Sequence, residues 1–468
     1  MKKVLAFDFG ASSGRGILAT YTDGNLTYEE IHRFENTPIE ENGTLYWDFP
    51  TLFKEVEIAI EKAGAFDSVG FDTWGVDFGL LDADGKLLEK PVHYRDKRTE
   101  QTVARAEKIL SQDEIYAKTG NQIMALNTLF QLMETDLTGA KTLLFMPDLF
   151  AYQLCGAKNC EMTIASTSQM LDLEKKVWHE EVLEKFNIPK EILLPPTKTG
   201  KIIGKYKGVA DVVAVAGHDT QCAVASLPTD EEVLFLSCGT WSLLGAELET
   251  PILSAESRSA NLSNEIGANG KINYLKNIIG LWLIQESRRV WQSQGKAYTF
   301  SELADLAKEA KPFQFFIDPD APQFASPGDI PKLVQEFCEK TGQGRPESIG
   351  EIMRCIYESL ALKYRFSVEQ VKELTGKNFS KLHMLGGGIQ AKLLCEMTAS
   401  ATNMEVIAGP VEATALGNII IQLVAIGELE SIANGRELIK KTEPVITYQP
   451  TDGNLWADTY KKYKECVL

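Results

Sequence analysis

Val4-Leu5-Ala6-Phe7-Asp8-Phe9-Gly10-Ala11-Ser12-Ser13-Gly14-Arg15-Gly16-Ile17-Leu18-Ala19-Thr20-Tyr21 reads as an apolar strand, a glycine- and serine-rich turn and a second apolar strand. Thr22-Asp23-Gly24-Asn25 then signals a tight turn into a third strand. The plan returns in the second half of the chain. Glu232–Ser237 is an apolar strand, Cys238-Gly239-Thr240-Trp241 the turn, and Ser242-Leu243-Leu244-Gly245 the strand that follows. A strand-turn-strand unit repeated after about 230 residues points to two related lobes in one chain.

Working outward, Leu52–Ala63 has helical spacing, and the short strand Asp67–Phe71 runs into Asp72-Thr73-Trp74-Gly75-Val76-Asp77. Glu100–Leu154 reads as mainly helical, and Pro195-Pro196 with Thr197–Gly208 as a surface connection. Val212–Ala216 is a buried strand ending in Gly217-His218-Asp219-Thr220. Later, the proline-rich Asp318–Pro331 reads as a loop and Ile349–Leu374 as a long amphipathic helix. Leu382–Leu385 is a strand leading into Gly386-Gly387-Gly388. Ala391–Ala401, Met404–Ala408 and Ala413–Ile426 follow as helix, strand and helix. The alternation specifies an α/β fold.

The 468 residues carry 48 Lys+Arg against 65 Asp+Glu, a net charge of −17, without basic clusters, which argues against a nucleic-acid partner. Asp8 interrupts the amino-terminal apolar stretch too early for a signal peptide, and no 18-residue apolar run exists to span a membrane. None of the eight cysteines forms a C-x-x-C pair or lies at zinc spacing from a histidine. The expectation is a cytoplasmic protein with reduced thiols, in which nothing binds nucleic acid or membrane.

Glycine- and hydroxyl-rich turns at strand ends expose backbone N–H groups and let a phosphate approach. Four such turns with carboxylates beside them indicate a nucleotide site. G-x-x-x-x-G-K-[ST] is absent, and the first turn does not match G-x-G-x-x-G. Gly10-Ala11-Ser12-Ser13-Gly14 does match the G-x-S-x-G hydrolase elbow, but that elbow needs a strand before it and a helix after it, and here a strand follows. Phosphoryl transfer to an alcohol needs a base at the acceptor and a metal at the polyphosphate. Asp219 suits the first task. Asp8 suits the second, directly or through water, since magnesium keeps much of its hydration. Either aspartate would otherwise be a turn cap.

DFGASSGR (Asp8–Arg15), DTWGVDFGLLD (Asp72–Asp82), YRDKRT (Tyr94–Thr99), MPDLFAYQLCG (Met146–Gly156) and GHDT (Gly217–Thr220) appear in this order. SCGTWSLLG (Ser237–Gly245), LKNIIGLWLIQE (Leu275–Glu286), LGGGIQ (Leu385–Gln390) and AGPVEATALGNI (Ala408–Ile419) complete the series. In these motifs the chain resembles the FGGY carbohydrate kinases of the actin and hexokinase-like ATPase superfamily. The resemblance implies two actin-like (ribonuclease H-like) lobes around a central cleft, with mixed sheets flanked by helices. Residues 1–244 would form the sugar-side lobe with the first phosphate turn and catalytic aspartate, and 245–468 the nucleotide-side lobe. It also implies ATP and Mg2+ as cofactors and a small ketose as substrate. The most similar members phosphorylate L-rhamnulose at its 1-hydroxyl.

Carried onto this chain, the resemblance makes Asp219 the catalytic base. Ala11, Ser12, Ser13, Gly14 and Arg15 would wrap the ATP phosphates, with Thr240 contacting them from the second turn. Gln285 and Gly387 would line the nucleotide pocket. Gly75, His218, Asp219, Thr220 and Asn277 would contact the sugar, and Asp8 would serve the metal. Many family members have Asp-Gln where this chain has Asp219-Thr220, a departure that favours the rhamnulose branch over glycerol or xylulose kinases. Trp74, Trp241 and Trp282 are either ligand-stacking or core residues. L-fuculose and L-xylulose are alternative substrates, and a sugar sensor or a filament-forming relative is an alternative use of the fold. A sensor has no need of Asp219, and a filament protein has no need of the sugar-side motifs. Monomer and homodimer are both compatible with the resemblance.

Overall fold

A strand as apolar as Val4–Phe9 is expected to be buried on both faces. In the computed structural model, which describes residues 1–468, it lies inside a six-stranded mixed sheet. The strands are β1 (Lys2–Phe9), β2 (Ser13–Thr22), β3 (Asn25–Glu35), β4 (Ser68–Thr73), β5 (Lys201–Tyr206) and β6 (Ala210–Ala214). Their order is β5-β6-β4-β1-β2-β3. Side chains of β1 alternate between the two faces. Phe7 stacks on Phe71 at 5.0 Å and Phe9 on Phe150 at 4.3 Å, Phe150 coming from helix α2 (Met146–Cys155). Val4 and Ala6 join a core with Leu416, Ile419 and Ile420 of helix α7 (Ala413–Ala425). Helix α1 (Phe49–Ala63), between β3 and β4, is capped by Asp48 and carries a proline in its first turn.

The second sheet has seven strands: β7 (Leu234–Cys238), β8 (Trp241–Leu248), β9 (Ile272–Ile279), β10 (Lys381–Leu385), β11 (Glu405–Ala408) and β12 (Ile446–Tyr448), in the order β9-β8-β7-β10-β11-β12, with the short strand Ser263–Ile266 at the edge beside β9. In the first sheet β2/β1 is antiparallel, β1/β4 and β4/β6 are parallel, and β6/β5 is antiparallel. In the second sheet β8/β7 is antiparallel, β7/β10 and β10/β11 are parallel, and β11/β12 is antiparallel. The two strand-turn-strand segments thus open the same topology twice. Helices α4 (Trp282–Ser293), α5 (Ile349–Thr375) and α6 (Lys392–Thr402) belong to the second half, and α5 starts on a Ser348/Glu351 capping box.

The chain packs as two compact units. One is Met1–Asp230 with Glu247–Tyr274 and Ala413–Glu443; the other is Glu231–Ala246 with Leu275–Glu412 and Pro444–Leu468. They are therefore not the consecutive stretches 1–244 and 245–468. The reason is apolar burial: α7 lies late in the chain, but its Leu416, Ile419, Ile420 and Leu423 are buried with β1, β2 and β6. Gly417 lets α7 approach helix α3 (Asp219–Ala225) so closely that an added Cβ would collide with the Cys222 carbonyl.

Three local expectations change. Lys201–Tyr206 is the edge strand β5 rather than an open connection, and its exposed, lysine-bearing face hid the strand pattern. Glu100–Leu154 contains several short helices and a strand, Thr142–Phe145, paired with Phe78–Leu81. Asp318–Pro331 contains the 3-10 turn Pro322–Phe324, and helix Ile330–Lys340 begins inside it with Pro331 in its first turn, where a missing N–H costs nothing. No helix is long and apolar enough to cross a membrane.

Candidate active site

Register places the first carboxylates. Asp8 pairs across β1 and β4 with Asp72, and across β1 and β2 with Arg15. Arg15 donates from Nε and Nη2 to Asp8 Oδ2, at 3.0 and 2.7 Å. Asp72 is fully buried and accepts from Asn418 Nδ2 at 2.7 Å through Oδ2, while its Oδ1 has no hydrogen-bond partner. Burial first, and the Asp8 charge next, hold the Asp72 carboxyl well above the usual carboxylate range.

The turn between β1 and β2 is held by its carbonyl edge. Gly10 N–H donates to the Ser13 carbonyl at 2.9 Å. Asn36 donates from its backbone to the Ser12 carbonyl at 3.1 Å and from its side chain to the Gly10 carbonyl at 2.9 Å. Gly14 has a packing reason of its own, because a Cβ there would run into the Phe34 ring. The turn joins two strands, so the hydrolase-elbow geometry is absent.

Two turns from distant segments meet beyond β4. Thr73 N–H donates to the Gly217 carbonyl at 2.9 Å, and a Cβ on Gly75 would lie 3.5 Å from His218 Nε2. Between them Val76 has φ +67°, a strained conformation for a β-branched residue. It is held at both ends: its N–H donates to Thr167 Oγ1 at 3.1 Å, and its carbonyl accepts from Thr128 Oγ1 at 2.7 Å. The neighbouring Asp77 is buried and accepts Trp47 Nε1, Trp74 Nε1, the Tyr94 N–H and Gln131 Nε2 at 2.6, 3.0, 3.1 and 2.7 Å.

Asp219 opens α3, with 31% of its side chain exposed. Its Oδ1 accepts the Thr220 N–H at 2.6 Å and the Thr220 hydroxyl at 3.3 Å. Burial, aided by Asp8 and opposed by His218, pushes its carboxyl up to about 6. That is basic enough to accept a proton and still mostly ionised near neutrality. The first unit thus assembles Asp8, Ala11–Arg15, Gly75, His218, Asp219 and Thr220.

The second unit contains Thr240, Asn277, Gln285 and Gly387. Thr240 Oγ1 lies 3.3 Å from Gln285 Oε1, and the 239–240 carbonyls accept the N–H groups of Gly280, Leu281 and Trp282 at 3.0–3.2 Å. The glycine turn before α6 packs against the same loop, since a Cβ on Gly388 would stand 2.5 Å from the Cys238 carbonyl. Gly386 has φ +84°, whereas Gly387 has neither a positive φ nor a protein atom within 4 Å of a Cβ position. Asn277 lies on β9.

Residues 3–235 match the FGGY family of carbohydrate kinases, N-terminal domain, and residues 234–426 match its C-terminal domain. The chain belongs to the FGGY family of carbohydrate kinases. It is similar over its length to the rhamnulokinase of Bacteroides thetaiotaomicron, with 40% identity covering 99% of both chains. The rhamnulokinase of Enterococcus faecalis is 39% identical, over 96% of this chain and 95% of its own. Xylulose kinase from Lactobacillus acidophilus shares the fold, with TM-score 0.81 and 16% identity over 99% of this chain and 97% of that one. Glycerol kinase of Plasmodium falciparum with ADP does so at TM-score 0.76 and 16% identity, over 99% and 98%.

As a member of the FGGY family the chain is an ATP-using sugar kinase with two actin-like units. Its residues fit a divalent cation in one mode only. No three His, Cys, Asp or Glu side chains are grouped to cage a metal. Asp8, with the unpartnered Oδ1 of Asp72 beside it, suits an ion that keeps its own water and takes few protein oxygens. The sequence reading did not single out Asp72, which the structure places opposite Asp8; its signal was a strand-end aspartate matching Asp8. Trp74 is core, bonded to Asp77 and 3.9 Å from the Trp47 ring, and Trp282 donates to the Phe324 carbonyl.

Proposed function

We propose that this FGGY kinase transfers the γ-phosphoryl group of ATP to the 1-hydroxyl of L-rhamnulose, giving L-rhamnulose 1-phosphate in L-rhamnose catabolism. The observation that carries this is end-to-end similarity to rhamnulokinases at 36–40% identity, against 16% for the xylulose and glycerol kinases that share its fold.

Asp219 takes the proton from the attacking hydroxyl. His218, Thr220, Gly75 and Asn277 contact the sugar, and Thr220 also steadies Asp219 through two hydrogen bonds. Ala11–Arg15 and Thr240 receive the phosphates, and Gln285 and Gly387 the nucleoside. The division at 244 is the proposed functional boundary, with the base, the first phosphate turn and most sugar contacts before it and the nucleoside contacts Gln285 and Gly387 after it; Thr240 before it and Asn277 after it serve the other side. Asp8 would hold Mg2+ through water, with Asp72 behind it, and the ion when bound would neutralise charge on the transferring phosphate. In this reading the substrates are small molecules, and the enzyme works in the cytoplasm, as a monomer or homodimer, with no nucleic-acid or membrane partner.

Gly387→Val tests the nucleotide assignment cleanly, because no positive φ and no protein neighbour opposes the new side chain. The expected result is a rise of about tenfold or more in the ATP KM, with little change in sugar KM or melting temperature. Equal rises in both KM values, or a lowered melting temperature, would remove Gly387 from the nucleotide site.

The substrate is tested by coupled ADP release over a panel of ketoses and polyols with Mg-ATP. L-Rhamnulose should give the highest kcat/KM, since a site that hydrogen-bonds several hydroxyls rejects analogues leaving its polar groups unpaired. A higher value for L-fuculose, L-xylulose or glycerol would overturn the assignment.

A further inference from the structure

His218 lies between two carboxylates, only one of which adjoins it in sequence. Its side chain is 9% exposed; Nδ1 is 3.1 Å from Glu265 Oε2 and Nε2 is 3.4 Å from Asp219 Oδ1. Glu265, 5% exposed, stands on the strand Ser263–Ile266 and is itself fixed. Its Oε1 accepts the Ser263 hydroxyl at 3.2 Å, and its Oε2 accepts Gln221 Nε2 at 2.8 Å. The Gln221 amide cannot be turned without loss, since Asn273 Nδ2 donates to its Oε1. Gln221 therefore presents its NH2 side to Glu265 and, at 3.3 Å, to His218 Nδ1.

An ionised carboxylate only accepts hydrogen bonds, whereas a neutral imidazole has one donor and one acceptor nitrogen. With its proton on Nδ1 a neutral His218 would aim a lone pair at Asp219; with its proton on Nε2 it would aim one between Glu265 Oε2, at 3.1 Å, and the Gln221 NH2, at 3.3 Å. The imidazolium donates at both nitrogens and removes that conflict. We propose that Glu265 is a positioning residue that holds His218 as an imidazolium bridging Glu265 and Asp219, and so keeps a positive charge against the base. This rests on the reading of Asp219 as the base and deepens it.

The titratable groups around the ring agree. Asp219 faces it from α3, Glu265 from its strand, and Glu161 from the residue preceding the short helix Met162–Ala165. Burial alone disfavours the charged ring, but the Glu265 hydrogen bond and the charges of Glu265, Asp219 and Glu161 outweigh it, leaving the imidazole above its ordinary value. The imidazolium in turn offsets the burial and the Asp8 charge that raise the Asp219 carboxyl. Glu161 also accepts the Gly217 N–H at 2.9 Å, which fixes the backbone ahead of His218.

Glu265→Gln keeps the side chain's size and removes its charge. His218 then loses a proton near neutrality, Asp219 loses its counter-charge, and its carboxyl titrates higher. The acid limb of the kcat/KM profile should move up by roughly one pH unit, the lower end of the effect of an opposite charge within 4–6 Å. At pH 6.5 kcat/KM should fall roughly threefold, with little change at pH 8.5. A packing defect alone would lower the melting temperature without moving the limb.

The second readout needs no variant activity. Nitrogen-15 NMR of the His218 ring, assigned by its loss in His218→Gln, should show protons on both nitrogens of the wild type at pH 7.5. One unprotonated ring nitrogen there, or an unmoved acid limb in Glu265→Gln, overturns the role given to Glu265. Asp219→Asn is run beside it, because near-normal turnover in that variant would instead refute the base assignment itself.

Discussion

Asp219→Asn should lower kcat by roughly 10²–10⁴-fold and leave the sugar KM nearly unchanged. Asparagine keeps the size of the side chain and an oxygen for Thr220, whose N–H and hydroxyl reach Asp219 Oδ1 at 2.6 and 3.3 Å. What is lost is the ability to take a proton from the acceptor hydroxyl. The same group sets the acid side of the wild-type profile. Burial raises its carboxyl to about 6, so kcat/KM should fall below that pH as the base becomes protonated. Steady-state kinetics at saturating ATP and sugar between pH 5 and 9 measures both effects. Turnover within about threefold of wild type would mean that another group accepts the proton.

Asp77→Leu should be the most damaging substitution for stability. It strands two indole N–H groups, the Tyr94 backbone N–H and one N–H of Gln131, whose other partners remain, in a buried site. At about 1–3 kcal/mol per unsatisfied group, the loss should exceed ~4 kcal/mol, a large share of an ordinary domain's ~5–15 kcal/mol. Trp47 and Trp74, with ring centroids 3.9 Å apart, report the change directly. Denaturant unfolding followed by tryptophan fluorescence should show a much lower midpoint, or no cooperative transition. Asp77→Asn keeps an acceptor for some of the donors and should fall between. A midpoint for Asp77→Leu close to that of the wild type would show that the carboxylate does not organise this turn.

The turn matters because it bears Gly75. Val76 is held at φ +67° by Thr167 and Thr128, and Asp77 anchors the residues after it. Strain of this kind persists only where the surroundings over-determine the backbone. Two of these anchors, Thr167 and Thr128, come from distant segments and are not legible in DTWGVD; the third, Asp77, stands in the motif, but its partners Trp47, Tyr94 and Gln131 do not.

The sequence by itself determined the α/β class, the duplicated strand-turn-strand plan and the positions of the glycine- and hydroxyl-rich turns and of Asp8 and Asp219. Each is written within a few consecutive residues, in the period of apolar side chains and in the glycines, hydroxyls and carboxylates that close strands. The tertiary structure alone decided which groups stand behind them. Asp72 meets Asp8 only through the parallel register of β1 and β4. Asn418 reaches Asp72 across 346 residues because α7 buries its apolar face on the first sheet. Glu265 meets His218 only when its strand packs beside α3, and the two units take their residues from separated stretches for the same reason. Local pattern records which face of an element is apolar; which distant element covers that face, and which polar groups meet there, follows from packing the whole chain.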